Sequence, residues 1–161
     1  SHVAYNALRM EPVFIVLGEA CGVAAHLALK HKTTLRKVPT GELTALLAER
    51  RGVLTFFEDL PFTDPDFPAL QWLGARGLNP GYRANKAEKL TQRGGAERLQ
   101  RILGAEGRTW HAADLSDEPL PASMVAGWLR QAGYRAAPGG PEPLDVAGFA
   151  RMVYAALRPR V

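Results

Sequence analysis

The chain is short of the residues that build cross-linked or metal-bearing sites. Cys21 is the only cysteine in 161 residues. An internal disulfide framework and a cysteine-only zinc site are therefore excluded. The four histidines, His2, His26, His31 and His111, are scattered without the spacing of a metal pair. No metal site is expected. Charge of one sign is scarce as well. The net charge is +4, with seven basic and four acidic residues up to Gly52, and thirteen and twelve after it. Neither half is a polybasic arm, so nucleic acid is not an expected partner. No initiator Met opens the chain, and no signal-type segment follows Ser1. The sequence therefore reads as a piece of a longer polypeptide.

What is present is a globular balance, 47% hydrophobic and 22% charged. The run Val13–Leu29 is apolar apart from Glu19 and His26. Pro12 suits the first turn of a helix, where its missing N–H costs nothing. A helix over 12–30 would be about 28 Å long. Being apolar nearly all round, it should be buried on most sides. Lys30, His31 and Lys32 at its end suit the helix dipole. The stretch 12–29 is also near the minimum length for spanning a membrane, and Gly18 and Gly22 form Gly-x-x-x-Gly. Glu19 near its centre, with His26, disfavours spanning. The other reading is a helix inside a larger protein, whose small residues let backbones approach closely. Thr40 is a candidate N-cap for a helix through 42–50, closed by Gly52 at C′. Residues 53–57 read as a short strand or extended segment.

Beyond residue 55 the chain looks repeated. Trp72-Leu73-Gly74-Ala75-Arg76-Gly77 and Trp128-Leu129-Arg130-Gln131-Ala132-Gly133 share Trp-Leu-x-x-x-Gly at an offset of 56. Leu90, Leu99 and Leu103 have the mutual spacing of Leu144, Val153 and Leu157, at an offset of 54. Each unit reads as helix, glycine turn, loop, helix. Residues 138–143, rich in Pro and Gly, read as a surface loop. Catalytic constellations are weak. The carboxylates of Glu58-Asp59 and Asp64-Pro65-Asp66 sit in stretches that usually form turns or caps. Cys21, mid-helix among apolar residues, should be an inert buried thiol. Its spacing to His26 does not put the two on one face. Ser123 has no nearby His, and nothing in sequence partners His111.

Two resemblances follow. Residues 1–25, with Arg9-Met10-Glu11-Pro12, the apolar run, Leu17-Gly18-Glu19 and the small residues after it, resemble the last flavin-domain segment of FAD-dependent oxidoreductases of the xanthan-lyase-like kind. A weaker likeness continues through 43–54. The resemblance implies a two-dinucleotide-binding flavoprotein in which this helix points its N-terminus at the flavin pyrimidine edge. Backbone N–H groups of Val13 and Phe14 would face that edge, with Arg9, Met10 and Glu11 lining the approach. Arg9 as a plain structural cation stays open beside this. The family's glycine-rich strand–turn–helix site for the adenosine diphosphate is not found here, since neither Gly94-Gly95 nor Gly139-Gly140 follows a strand and opens a helix. FAD would thus be held only together with an N-terminal dinucleotide-binding segment. The repeats look like S-layer-homology units: Phe57-Glu58-Asp59, Ala69–Leu73, Gly77-Leu78 and Gly81-Tyr82 follow that pattern. The second unit keeps Asp114, Trp128-Leu129 and Gly133 without the Gly-Tyr pair, and Leu90-Thr91-Gln92-Arg93 is a partial echo of the unit's wall-polymer motif.

The expected architecture is a mainly α fragment. Residues 1–55 form the closing helix and C-terminal segment of an α/β flavin-binding domain. Residues 56–161 form a helical appendage of two units, 56–107 and 108–161. The expected function is the C-terminal portion of an FAD-dependent oxidoreductase, inactive alone, with the N-terminal remainder as its partner. The alternative is a non-catalytic module whose repeats dock to glycan or protein, with the first helix as a hydrophobic anchor; in a plain packing or docking appendage Trp72 and Trp128 are core anchors.

Overall fold

Local sequence sets where each helix begins and ends. A computed structural model of the chain describes residues 11–113, 115–136 and 142–159. Arg9, Met10, Asp114 and residues 138–141 of the expected loop lie outside them. The described chain is mainly α, as the sequence implies. Its helices are α1 (Glu11–Lys30), α2 (Thr40–Glu49), α3 (Phe67–Gly74), α4 (Gln92–Ala105), α5 (Ala122–Gln131) and α6 (Val146–Leu157). A single 3-10 turn, Leu35–Lys37, links α1 to α2. Among the described residues β pairing is limited to two isolated bridges, Lys89 with Asp145 and Thr91 with Pro119. The expected strand over 53–57 is an irregular segment instead. Its backbone finds a side chain rather than a neighbouring strand: the N–H groups of Leu54 and Thr55 both donate to Oε1 of the buried Gln71, each at 2.8 Å.

One helix closing recurs four times. Leu78 N–H donates to Leu73 O at 3.1 Å, and Gly77 N–H to Gly74 O at 3.0 Å. At an offset of 56, Tyr134 donates to Leu129 O and Gly133 to Arg130 O. Arg108 and Gly107 repeat this on Leu103 and Gly104 at the end of α4. Gly77, Gly107 and Gly133 take φ of 85°, 73° and 84°. Only glycine enters that left-handed region without steric cost. The fourth case corrects the expected cap of α2. Arg51, with φ 67°, holds the left-handed position, and Gly52 follows it, donating to Leu47 O at 2.8 Å. A left-handed arginine costs about 1–2 kcal/mol. Its side chain offsets this, since Nη1 donates to Phe62 O at 3.0 Å and to Asp64 O at 2.6 Å. The guanidinium also lies 5.7 Å from the Phe67 ring centre.

The helix starts are matched too. Thr91 caps α4 by accepting from Gly94 N–H at 3.1 Å. Asp145, 54 residues on, caps α6 by accepting from Gly148 N–H at 2.7 Å. Such caps contribute about 1 kcal/mol each. Just before the first turns of α4, α5 and α6 sit Leu90, Leu120 and Leu144. Their backbones close a ring. Leu90 N–H donates to Leu144 O at 3.0 Å, Leu144 to Leu120 O at 3.0 Å, and Leu120 to Leu90 O at 2.8 Å. All three side chains are buried.

Around this ring lies the main core, which joins α3 to α6 and takes in Ala45 and Ala48 of α2. Trp72 and Trp128 are both buried in it. Trp72 meets Tyr154 edge-on, with ring centres 5.5 Å apart, and its Nε1 donates to Gly41 O at 3.3 Å. A second, small cluster holds α1 to α2 through Val23, Leu27 and Leu47.

The ring leaves little room. A Cβ at Gly95 would stand 2.3 Å from Cδ2 of the fully buried Leu120. Gly95→Ala should cost about 1–3 kcal/mol, the usual penalty for overpacking. Gly104, on the same helix, has nothing within 4 Å of such an atom. Gly104→Ala should instead stabilise by about 0.5–1 kcal/mol. Urea midpoints of the two variants, shifting in opposite directions from the parent, are the measurement that checks this.

Candidate functional site

The flavin-facing positions implied by resemblance lie at the start of α1. Glu11 opens the described helix, Val13 is half-buried and Phe14 is exposed. Counted from Glu11, Val13 and Phe14 fall in its first turn. The structure does not bring these residues together with Arg9 or Met10, which lie outside the described part. The expectation that this helix is buried on most sides is not met. Only 17% of the window Val13–Lys30 is buried. The cause is a shortage of partners: α2 and the 3-10 turn cover one edge, and Phe14, Ile15, Val16 and Leu17 face outward. By length and composition the helix is apolar enough to cross a membrane, with a mean hydropathy of 1.6. Cys21 is exposed rather than buried, because it sits off the edge that α2 covers. His26 is exposed too. Near the end of α1, the buried Glu42 of α2 accepts from His31 Nε2 at 2.7 Å and sits 3.9 Å from Lys30 Nζ.

The paired acids act as structural clamps. Asp59 closes the loop after the Trp-Leu helix: Oδ1 accepts from Ala84 N–H at 2.6 Å, and Oδ2 from Asn85 N–H at 2.9 Å. Burial alone would raise its pKa, but these two N–H groups, with Arg83 nearby, hold it below the usual carboxylate value. The buried Asn79 joins the same loop to α4 by accepting from Arg98 Nε at 3.1 Å. Asp64 opposes burial in the same way. Its ion pair with Lys86 and a bond from Asp66 N–H lower its pKa, and that pair raises the pKa of Lys86. Asp66 accepts from Arg151 Nη1 at 2.7 Å and lies 3.9 Å from Lys86.

Asp66 lines a cleft of about 460 Å³ between the end of α2, the start of α3 and one face of α6. Pro65, Pro68 and Ala69 form its apolar wall, and Arg151, Tyr154 and Arg158 the opposite side. Glu49 accepts from Arg158 Nη1 and, at 3.4 Å, from the Tyr154 hydroxyl. Burial, then the Glu49 carboxylate, push the Tyr154 phenol above its ordinary pKa, so it stays a neutral donor. Sequence reasoning missed Glu49, Arg151, Tyr154 and Arg158. The spacing 151, 154, 158 marks one helical face, but nothing local says that this face opens into a cleft. His111 is exposed and meets Gln100 Nε2 at 3.1 Å. No group of three or more His, Cys, Asp or Glu that could hold a metal ion occurs among the described residues.

Comparison with known proteins adds one match. Residues 1–47 fit the family model described as FAD dependent oxidoreductase. The match ends within α2, two residues short of Glu49, and does not reach the helices that carry the ring. No curated protein and no solved structure matches the chain.

Asp59→Ala strips the acceptor from two loop N–H groups, one of them on the fully buried Ala84. At about pH 7 the loss should be about 1–3 kcal/mol. The folded-state pKa of Asp59 is depressed, so its stabilising effect is present above the free-carboxyl value of 3.8 and lost as pH falls through the lower folded value. Urea titrations at about pH 7 and about pH 2.5 should show the gap between parent and variant narrowing only at the acid end.

Proposed function

We propose that residues 1–47 close the flavin-binding domain of an FAD-dependent oxidoreductase, with the remainder of that domain supplied by the polypeptide before Ser1. The observation that carries the reading is the state of α1. The stretch that fits the FAD dependent oxidoreductase family holds a 20-residue helix whose Phe14–Leu17 segment is left facing outward. Four consecutive residues span most of a helical turn, so this apolar surface is exposed nearly all round, and such a surface marks one that other elements cover. A β-sheet of the same domain is the occupant that this reading assigns.

The donor set suits one edge of a flavin rather than a whole FAD. A helix N-terminus offers unpaired N–H groups and partial positive charge. Val13 and Phe14 would direct backbone N–H groups at the pyrimidine edge, and Arg9, Met10 and Glu11 would line the approach. Negative charge at that edge is stabilised by such an end. Among the described residues no glycine-rich strand–turn–helix cradle exists for the adenosine diphosphate. On this reading an N-terminal dinucleotide-binding segment holds that half. Bound flavin supplies hydride or electron transfer. Membrane spanning and nucleic-acid binding are not part of this reading.

Residues 56–161 are then an appendage with two S-layer-homology-like units, divided near 107. The Asp59 clamp, the matched closings at Gly77 and Gly133 and the matched caps at Thr91 and Asp145 support it. The second reading makes the appendage the functional part, a docking module for glycan or protein. The cleft beside α6 is the observation that favours it.

The complete reading frame, expressed and dialysed exhaustively, should retain a flavin absorption band. Phe14→Asp should abolish that band. In the present chain the same change should leave the thermal midpoint within about 2 °C, because Phe14 is exposed there. A folded but colourless complete protein would sink the flavin reading and leave the docking module.

A further inference from the structure

The cleft beside α6 is not used by the flavin reading, and its charges are layered. In each ion pair the carboxylate lies deeper than its cation. Asp66 is 7% exposed against 50% for Arg151, and Glu49 33% against 47% for Arg158. At the margin Asp64 is 9% exposed against 40% for Lys86. The acids sum to the same charge as the bases, yet the surface offered to a ligand is cationic. Among the described residues Arg151 and Arg158 each use only Nη1 in side-chain bonds. A guanidinium carries five N–H donors in a planar fork suited to carboxylate. Here each fork is anchored from behind, so less freedom is lost when it binds.

Spacing narrows the ligand. Arg158, which caps the end of α6, follows Arg151 by seven residues, a backbone rise of about 10.5 Å. Three residues of polyproline II peptide, one full turn, cover about 9 Å and bring the side chain back to the same face. On the arginine side Tyr154, buried and fixed edge-on by Trp72, comes between Arg151 and Arg158 in sequence, and Pro65 and Pro68 form the wall opposite. That wall suits an apolar or proline residue. We propose that the cleft binds an acidic peptide segment in the polyproline II conformation, with Asp or Glu at positions i and i+3 and small or proline residues between them. The outer carboxylates take the forks of Arg151 and Arg158, and the middle residues lie over Tyr154. This site does not depend on flavin.

The test is a titration of the full chain, labelled with ¹⁵N, with the peptide acetyl-Glu-Ala-Pro-Glu-amide. The expected result is saturable shifts of the Ala69, Arg151 and Tyr154 amides, with affinity falling as salt is raised. Acetyl-Gln-Ala-Pro-Gln-amide should leave those amides unmoved. Arg158→Gln should weaken binding about tenfold, the loss expected for one charge-assisted fork. Arg151→Lys keeps a cation against Asp66 and serves if the first variant does not fold. It should weaken binding at least about threefold through loss of the fork. Absence of shifts at these amides, equal binding of the glutamine peptide, or unchanged affinity in a folded variant overturns the proposal.

Discussion

Three backbone hydrogen bonds at Leu90, Leu120 and Leu144 join the starts of α4, α5 and α6. Each leucine gives its N–H to one of the others and its C=O to the third, so the set closes on itself. The side chains are buried. Such groups away from water must be paired, since an orphan costs about 1–3 kcal/mol. The ring therefore forms as a unit. It also sets the starting points of α4, α5 and α6, because each helix begins within two residues of its leucine. Gly95 is the close-approach point that lets Leu120 into this junction.

From the ring outward, the helices are spaced by their closings and by two tryptophans. Trp72 links α3 to Gly41 on one side and Tyr154 on the other, which ties α2 and α6 to one core. Trp110 meets Trp128 at a tilt of 59°, with ring centres 5.6 Å apart. Because α2 contributes to both hydrophobic clusters, it links α1 to the main core. The buried Glu42 completes that link through His31 and Lys30. Removing one partner from such a buried group costs far more than an exposed ion pair contributes.

Loop order depends on carboxylates placed under cations. Asp59 holds the 84–85 backbone directly, and Asp64 and Asp66 hold Lys86 and Arg151. The sequence marks these acids only as turn formers, and that is their structural work. Their arrangement has a second consequence: with the acids inside and the bases outside, a neutral cluster presents positive charge to the cleft. The cleft walls come from three helices distant in sequence, so its rigidity derives from the ring and from the Trp72–Tyr154 contact rather than from any local motif.

The sequence by itself determined the features carried by bonds between near neighbours. The helix after Pro12, the paired Trp-Leu-x-x-x-Gly closings and the mainly α character follow from side chains acting within about five residues, through helical hydrogen bonds and left-handed glycines. The family likeness of residues 1–47 was legible for the same reason, as an unbroken run. Only tertiary structure decided the rest. The leucine ring joins positions 30 and 24 residues apart. Gln71 takes the bonds that a strand partner would have taken at Leu54 and Thr55. The exposure of α1 and the layering of charge in the cleft depend on which faces find partners. Apolar patterning says that a face seeks burial, but the shape of the neighbouring core decides what meets it.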